Sequence, residues 1–463
     1  MKPTRKGQQQ AAAFGEIYAW LCVTAALAAS PFLDRLTDVL LLLSTFLFAV
    51  ICQYSRRHLA GDPGQGRFYF WLCCTGSCVF AVILAQNLLV FAFAWLATSL
   101  SLHQLLQFYR DRPRALLAAR KKFLISRLGD CALGGALILT YQVFGTWDFR
   151  RLFAEAQSLR AGEQIPASVS LIACLLVFAA MLKSAQFPFH SWLPDTMETP
   201  TPVSALMHAG IINGGGILVI RLSPIVSLSP MALTALAAAG AFTALFGSVV
   251  ALTQASVKRC LAFSTVAQMG FMMLECGLGA FHLALLHLAA HSLYKAYSFL
   301  SSGSVVSTEA RRPDEATGFA ALAAGLLVAI AAWLTGFERF DQPVLSGIFF
   351  LAVAQLLWVS KPGWQALKGI LAGACFTAVY FRLESAATTV VTPVHVPPNR
   401  MLFAGLLAPF LVTALLQNQL PRIGQTDVVS TFYIHARNGF YVNALANRLT
   451  SALWPPRQIE RSF

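Results

Sequence analysis

The stretch from Phe68 to Tyr109 reads FYFWLCCTGSCVFAVILAQNLLVFAFAWLATSLSLHQLLQFY and contains no Asp, Glu, Lys or Arg. A membrane-spanning helix needs about 20 predominantly apolar residues, so the stretch is long enough for two helices. The polar pair Gln86-Asn87 marks the turn between them. Similar runs occur near residues 14–30, 36–54, 123–144, 168–187, 203–222, 230–252, 260–278, 281–305, 317–335, 343–360, 366–382 and 401–417. These runs are unbroken rather than alternating, which predicts an all-α polytopic membrane bundle of about 13–14 transmembrane helices, not a barrel.

The composition agrees with a membrane location. Only 12% of the 463 residues are charged, whereas soluble domains average about 25%. The net charge of +14 does not indicate nucleic-acid binding, because the basic residues cluster between apolar runs, as in cytoplasmic loops. The clusters taken as such loop anchors are Lys2/Arg5/Lys6, Arg56/Arg57/Arg67, Arg110/Arg112/Arg114/Arg120/Lys121/Lys122, Arg150/Arg151 and Arg311/Arg312. The ten cysteines form no Cys-x-x-Cys pair, so we expect no metal or other cofactor in this chain.

One segment interrupts the apolar pattern. Phe187 to Pro202 reads FPFHSWLPDTMETPTP and holds four prolines between two apolar runs. Because proline lacks a backbone N–H and blocks the preceding turn, no continuous helix crosses this segment. It is either a surface loop or a helix break that lines a polar path inside the membrane; we favour the break.

Ionisable side chains inside the runs need a reason, since a charge at the bilayer centre costs at least about 2.5–3.5 kcal/mol. Lys183 follows an apolar run and precedes the proline-rich segment. It is a candidate proton carrier, or a lysine that reaches the membrane surface from a helix end. His287, His291 and Lys295 recur every four residues, so one helix face carries all three. They suit a proton relay, although core histidines or a His/His metal pair share this spacing.

Four further titratable residues are candidates. Lys258 opens an apolar run and is either a helix-end anchor or part of a path. Asp130 is either a neutralising partner within the membrane or a carboxylate at a helix N-terminus. His208 precedes a triple glycine that permits close helix contact, and Glu275 falls at the end of its run or in the following loop. From the residues alone, a proton or cation path is the default interpretation.

Three long motifs resemble a known family, the proton-translocating antiporter-like subunits of respiratory complex I and of the Na+/H+ antiporters. They are KSAQFPFHSWLPDTMETPTPVSALMHAGIINGGGILVIR (183–221), SVKRCLAFSTVAQMGFM (256–272) and HLAAHSLYKAYSFLSSGSVV (287–306). The resemblance implies inverted helical repeats with broken helices. It also implies proton-path roles for the matching residues Lys183, His208, Lys258, His287, His291, Lys295 and Asp130.

The sequence departs from the family at one position. Family members carry a Trp-Glu pair whose glutamate partners the lysine, but this chain reads Trp95-Leu96. The nearest polar candidates along the chain are His103 and Gln104. The usual Glu–Lys switch is therefore not available in its ordinary form.

The wording of the third motif is most similar to the membrane subunit of the DAB inorganic-carbon accumulation complexes. That resemblance implies a non-enzymatic subunit of the bacterial inner membrane that conducts protons or Na+ across the lipid bilayer. The proton motive force would then drive inorganic carbon accumulation by a large soluble partner like a zinc β-carbonic anhydrase, which would hold the zinc. The alternatives are a complex I or Na+/H+ antiporter subunit, and a non-transporting scaffold.

The expected organisation has three parts. Residues 1–85 form N-terminal transmembrane helices, 86–420 form the antiporter-like core, and 421–463 form an amphipathic tail. In the tail, apolar residues at near-helical spacing oppose polar ones, which predicts a helix lying on the membrane surface or on a partner subunit. The apolar positions are Ile434, Val442, Leu445, Leu449 and Leu453.

Overall fold

The computed structural model describes residues 5–162, 165–303, 345, 348, 364–394, 409–410, 413 and 427–455. Within these ranges the regular elements are helical, apart from one isolated bridge between Asn87 and Asp148. The α-helices are α1 Arg5–Ala29, α2 Arg35–His58, α3 Gln65–Leu84, α4 Leu88–Leu106, α5 Pro113–Phe144, α6 Phe149–Ala161, α7 Ala167–Lys183, α8 Trp192–Asp195, α9 Thr201–Ala209, α10 Gly214–Arg221, α11 Ser223–Val226, α12 Pro230–Leu252, α13 Val257–Gly277, α14 Phe281–Leu300, α15 Trp364–Thr388, α16 Asp427–Arg437 and α17 Val442–Leu453.

Eight helical stretches in the described part are long and apolar enough to cross a membrane, which confirms a multi-pass, all-α membrane protein. They are Lys6–Phe32, Arg35–His58, Gln65–Leu84, Leu88–Leu106, Pro113–Phe144, Thr201–Arg221, Pro230–Leu252 and Val257–Gly277. The predicted spans 317–335, 343–360 and 401–417 lie outside the described residues, except for a few isolated positions. The total of 13–14 helices, the inverted repeats and the boundaries at 85 and 420 therefore stay predictions.

Helix α5 corrects part of the charge interpretation. It begins at Pro113, about two turns before Lys121, because proline is well suited to the first helical position. The basic residues from Arg114 onward therefore belong to the helix rather than to a loop. Lys121 and Lys122 are only 1% and 2% exposed, so neither is a loop anchor. A hydropathy pattern does not predict buried lysines, because it includes the cost of burying a charge but not the hydrogen bonds that compensate for that cost.

The proline-rich segment is a buried helix break. Helix α7 ends at Lys183, Ala185 adopts a positive φ of 50°, and helical structure resumes only with the short α8. Gln186 and His190, inside the break, are 0% and 2% exposed. The surface-loop alternative is therefore wrong, and the helix break lies inside the protein. That the break lines a polar path stays a prediction.

A second break separates α9 from α10. Gly210 leaves the helical conformation with φ −122° and ψ −74°, and the 3-10 turn Ile211–Asn213 leads into α10. All residues of α9 and of this turn are buried. The two breaks place irregular backbone inside the bundle, where its polar groups lie away from lipid.

Helices α12 and α13 pack closely because small residues meet along their contact. A Cβ added at Gly270 would overlap the backbone of Ala244, and one at Gly247 would lie 2.6 Å from the backbone nitrogen of Ala267. Such contacts between small residues let helix backbones approach in a membrane. This packing fixes α13, which supplies most hydrogen-bond partners of the second cluster described below.

The C-terminal tail is helical. In α17 the apolar side chains Leu445, Leu449 and Leu453 are 59%, 57% and 74% exposed, so they form an outward apolar face. On its other side, Asn443 contacts Lys121 of α5 and Asp195 of α8. The tail is thereby joined to the proline-rich break.

Candidate proton path

Lys183 is buried at the first break. It is 9% exposed, and its Nζ lies 4.2 Å from the centre of the Trp95 indole ring of α4. A Cβ added at Gly214 would lie 3.5 Å from Lys183 Cε, so α10 begins directly against the lysine side chain. Lys183 Nζ has no hydrogen-bond partner among the described residues. A cation over an indole face is stabilised by the ring quadrupole, but the ammonium protons remain available.

The carboxylate beside this lysine comes from α5 rather than from α4. Trp95 Nε1 donates to Asp130 Oδ1 at 3.0 Å, and Asp130 Oδ2 lies 2.5 Å from Arg127 Nη2. Asp130 is in the middle of α5, so the alternative of a helix N-terminal carboxylate is wrong. Position 96, where the family has glutamate, is leucine, and His103 hydrogen-bonds Gln107 instead (2.8 Å). Asp130 is thus the acidic group next to the Lys183–Trp95 contact.

Two lysines that the charge pattern assigned to loops are buried side chains of α5. Lys122 Nζ donates to the carbonyl oxygen and the Oγ of Ser99 at 3.0 and 2.9 Å. Lys121 Nζ donates to Asp195 Oδ2 at 2.6 Å and also contacts Asn443. Buried amines of this kind need several polar partners, and both have them. A signal was present in the sequence: Pro113 as a helix start would have placed both lysines inside a helix.

A second cluster gathers around α13. Lys295 is fully buried, and its Nζ donates to Ser264 Oγ at 2.9 Å and to the Leu261 carbonyl oxygen at 3.2 Å. His208 Nδ1 hydrogen-bonds Thr265 Oγ1 at 3.1 Å. Because Ser264 and Thr265 are consecutive, α13 brings Lys295 of α14 and His208 of α9 to one place. These predicted site residues are therefore neighbours.

The histidine pair of α14 extends this cluster. The rings of His287 and His291 are 6.2 Å apart, and His287 Nδ1 lies 2.9 Å from Glu275 Oε2. Glu275 belongs to α13 and is 6% exposed, so its place is inside the bundle and not in a following loop. Among the described residues, no group of three or more His, Cys, Asp or Glu side chains is arranged to hold a metal.

Asn213 lies between the contacts of Lys183 and the second cluster. Sequence reasoning did not single it out. Its Nδ2 donates to Ser292 Oγ at 2.8 Å and to the Ala209 carbonyl oxygen at 3.0 Å. Ser292 follows His291 in the chain, while Asn213 precedes Gly214, which faces Lys183. Nothing in the pattern marks an asparagine as a connection between helices, because the contact is made by packing.

Lys258 lies apart from these contacts. Its side chain is half-buried at the start of α13, and Nζ donates to Thr201 Oγ1 at 3.0 Å. Thr201 is the first residue of α9, which also carries His208. The hydrogen bond ties Lys258 to the helix of His208 but not to the second cluster itself.

Several buried polar atoms in and around these contacts have no hydrogen-bond partner among the described residues. They are Gln186 Oε1, Lys183 Nζ, Asn213 Oδ1, Ser204 Oγ, His208 Nε2, and both ring nitrogens of His291. Buried polar groups are almost always satisfied, by protein or by ordered water. Such a row of groups is suited to hold water, and Lys, His and water exchange protons along hydrogen bonds.

Comparisons with known proteins agree with the three motifs and confirm the resemblance. A family model described as NADH:quinone oxidoreductase/Mrp antiporter, TM matches residues 85–377. The chain is 40% identical over 453 residues to the "Probable inorganic carbon transporter subunit DabB2" of Halothiobacillus neapolitanus, which covers 93% of this chain and 82% of that protein.

Two other matches are more distant. The chain is 36% identical over 276 residues to NAD(P)H-quinone oxidoreductase chain 5 of Synechocystis sp., which covers 59% of this chain and 40% of that one. A chain in the structure of the Mrp complex from Dietzia sp. is similar with a TM-score of 0.58 at 22% identity, covering 98% of this chain and 55% of that chain. At this identity the structural match shows the fold alone.

Proposed function

The chain belongs to the NADH:quinone oxidoreductase/Mrp antiporter membrane family, among its inorganic carbon transporter subunits, and on this premise we propose that it conducts protons. Proton flow through the subunit drives inorganic carbon accumulation by a soluble partner. The path runs from Lys183 through the Asn213 connection to His291, Lys295 and His208. His287 and Glu275 extend it, and Lys258 lies at its edge.

The observation that carries this proposal is the unpartnered ammonium of Lys183 on the indole ring whose N–H donates to Asp130. A buried cation that has an indole face and no hydrogen-bond acceptor is held in place without being neutralised. Asp130 accepts a hydrogen bond from the Trp95 N–H. It supplies a negative charge near Lys183, because the family's glutamate position is leucine in this chain. A lysine in this setting is suited to release and recapture a proton as water and the carboxylate shift around it.

The partner in this proposal is a large soluble subunit resembling a zinc β-carbonic anhydrase, and the membrane is the bacterial inner membrane. In this proposal the zinc and the carbon chemistry lie in that partner. The length of the match favours inorganic carbon over quinone chemistry. The match to the carbon transporter subunit covers 93% of this chain, whereas the match to the quinone oxidoreductase chain covers 59% of it.

Growth tests the proposal. Bacteria that lack carbonic anhydrase and co-express this chain with the soluble partner should grow in ordinary air. Lys183→Ala and Lys295→Ala should abolish that growth, whereas Lys6→Ala, an exposed lysine of α1, should not. A Lys183→Ala chain that reached normal levels in the membrane and still supported full growth would contradict the proton path.

Co-purification separates the alternatives. Under the proposal, the chain is isolated with a large zinc-containing protein. Isolation with quinone-reducing or small antiporter subunits instead would assign it to a redox-driven pump or an Na+/H+ antiporter. Replacing K+ by Na+ in flux measurements at constant pH gradient would identify the coupling ion, and the proposal expects no dependence on Na+.

A further inference from the structure

A polar cavity of about 420 Å³ lies where the proline-rich break meets the tail. Its walls come from the break at His190 and Ser191, from the α12–α13 turn, and from the segment Arg437–Asn447. It lies outside the path proposed above, since none of the proposed proton-path residues lines it. We call it the tail cavity.

Specific contacts hold the tail cavity in shape. Lys121, Asp195 and Asn443 form a closed triangle of hydrogen bonds, with Asn443 Nδ2 donating to Asp195 Oδ1 at 2.9 Å. Gln254 Nε2 donates to the Arg437 carbonyl oxygen at 3.1 Å, which fixes the tail to the α12–α13 turn. The cavity is therefore a built feature and not a gap beside a loose tail.

The charge around the tail cavity is positive. Its lining includes Arg259 and Arg437 and no carboxylate. The adjacent acid, Asp195, is occupied by Lys121 and Asn443. Within the described part of the chain, no ion pair involves either arginine. Two guanidinium groups without acidic partners favour an anion, and their planar N–H forks match oxygen pairs.

Buried polar groups of the lining also lack partners. His190 and Ser191 are each 2% exposed, yet His190 Nδ1 and Ser191 Oγ have no hydrogen-bond partner among the described residues. The side-chain oxygen Oδ1 of the half-buried tail residue Asn447 also lacks a hydrogen-bond partner there. Leaving such a group unsatisfied costs about 1–3 kcal/mol. The three atoms lie just behind the cavity wall, so a small rotation of their side chains would present them to an occupant.

We propose that the tail cavity binds a small oxyanion, and that this ion is free bicarbonate. Arg259 and Arg437 supply the charge, and Ser191 and His190 supply hydrogen bonds from the buried wall. The cavity is larger than one such ion, and water, at about 30 Å³ per molecule, fills the rest. The choice of bicarbonate rests on the proposed function, which brings this ion to the protein. A lipid phosphate presents the same oxyanion chemistry, so the test separates the two sources.

The test measures thermal unfolding of the purified full chain in neutral detergent. Sodium bicarbonate replaces sodium chloride at constant ionic strength and mildly alkaline pH, where bicarbonate is the dominant species. The unfolding temperature should rise and saturate. The double variant Arg259→Gln/Arg437→Gln should weaken the apparent Kd by about tenfold or more, since charge-assisted hydrogen bonds are lost. Arg448→Gln, at an exposed arginine of the tail helix α17 outside the lining, should bind as the wild type does.

Ser191→Ala provides a second variant. It should raise the Kd severalfold while leaving the unfolding temperature in chloride unchanged, because only an unused hydroxyl is removed. The proposal is overturned if bicarbonate gives no saturable shift, if the double arginine variant responds like the wild type, or if phosphatidylglycerol alone produces the shift. This assay needs no partner subunit, so its failure and the failure of growth rescue are separate results.

Discussion

The ammonium of Lys183 lies 4.2 Å from the ring centre of Trp95, and the N–H of the same indole ring donates to Asp130 at 3.0 Å. One tryptophan therefore contacts both the candidate proton carrier and its acid. In the family pattern, the residue after this tryptophan is itself the acid, and here it is Leu96. In this chain the carboxylate that contacts the tryptophan is supplied by α5 rather than by α4.

Replacing the acid tests this arrangement. Asp130→Asn should lower proton flux by about tenfold or more, because it removes the carboxylate that accepts from Trp95, the residue in contact with Lys183. Flux is measured in vesicles with a pH-sensitive dye. Asp111→Asn, an exposed aspartate before α5, serves as the matched control and should conduct normally.

A second change makes this result specific. Leu96→Glu, introduced into Asp130→Asn, should restore part of the flux, because it returns a carboxylate to the side of Trp95. No gain from Leu96→Glu, in a double variant that folds, would mean that Asp130 acts through Arg127 and not through Lys183.

The connection at Asn213 gives the next prediction. Asn213→Ala and Ser292→Ala should each reduce flux severalfold, since each removes the 2.8 Å hydrogen bond between them. The double variant should be no worse than the stronger single one, because both changes remove one shared contact. Strictly multiplicative losses in flux would indicate that the two residues act independently.

The apolar pattern predicted much of the fold. The run 230–252 coincides with α12, whose start is capped by Ser229, a residue type favoured before a helix. The apolar pattern does not predict the start of α5, because the basic residues after Pro113 are unfavourable on a hydropathy scale. The burial of Lys121 and Lys122 depends on contacts with residues from other parts of the chain, namely Ser99, Asp195 and Asn443.

The candidate site was predictable only in part. The four-residue spacing of His287, His291 and Lys295 placed them on one face, and the structure keeps them together on α14. Glu275 and Asn213 were missed or left undecided because their roles depend on contacts across helices. Spacing within one helix carries no information about such contacts.

Helix packing gives a prediction with a built-in control. Gly270→Ala should destabilise the protein by about 1–3 kcal/mol, because the added methyl group overlaps the backbone of Ala244. Gly134→Ala in α5 meets no atom within 4 Å, so it should be neutral or stabilising by up to about 1 kcal/mol. Unfolding temperatures in detergent measure both changes. Equal temperatures for the two variants would show that α12 and α13 are not in close contact.

Acid sensitivity is expected at Asp34, in the turn before α2. Burial raises the pKa of Asp34, but the hydrogen bonds from Thr37 and the nearby Arg221 guanidinium outweigh it, so the pKa lies below its ordinary value. A lowered pKa stabilises the fold above the unfolded value of about 3.9, and this contribution is lost as the pH falls through the folded value. Asp34→Asn should therefore be less stable than the wild type near neutral pH, and the difference should shrink in acid. A difference that stays constant with pH would contradict this role.

Proton flux through Lys183 is the most direct test of the proposed function. The chain and its soluble partner are reconstituted in vesicles, a pH gradient is imposed, and its decay is followed with a pH-sensitive dye. The wild type and Lys6→Ala should dissipate the gradient at equal rates, and Lys183→Ala should slow the decay to that of empty vesicles. Equal decay in the wild type and in Lys183→Ala, with both incorporated to the same level, would contradict a proton path through this lysine.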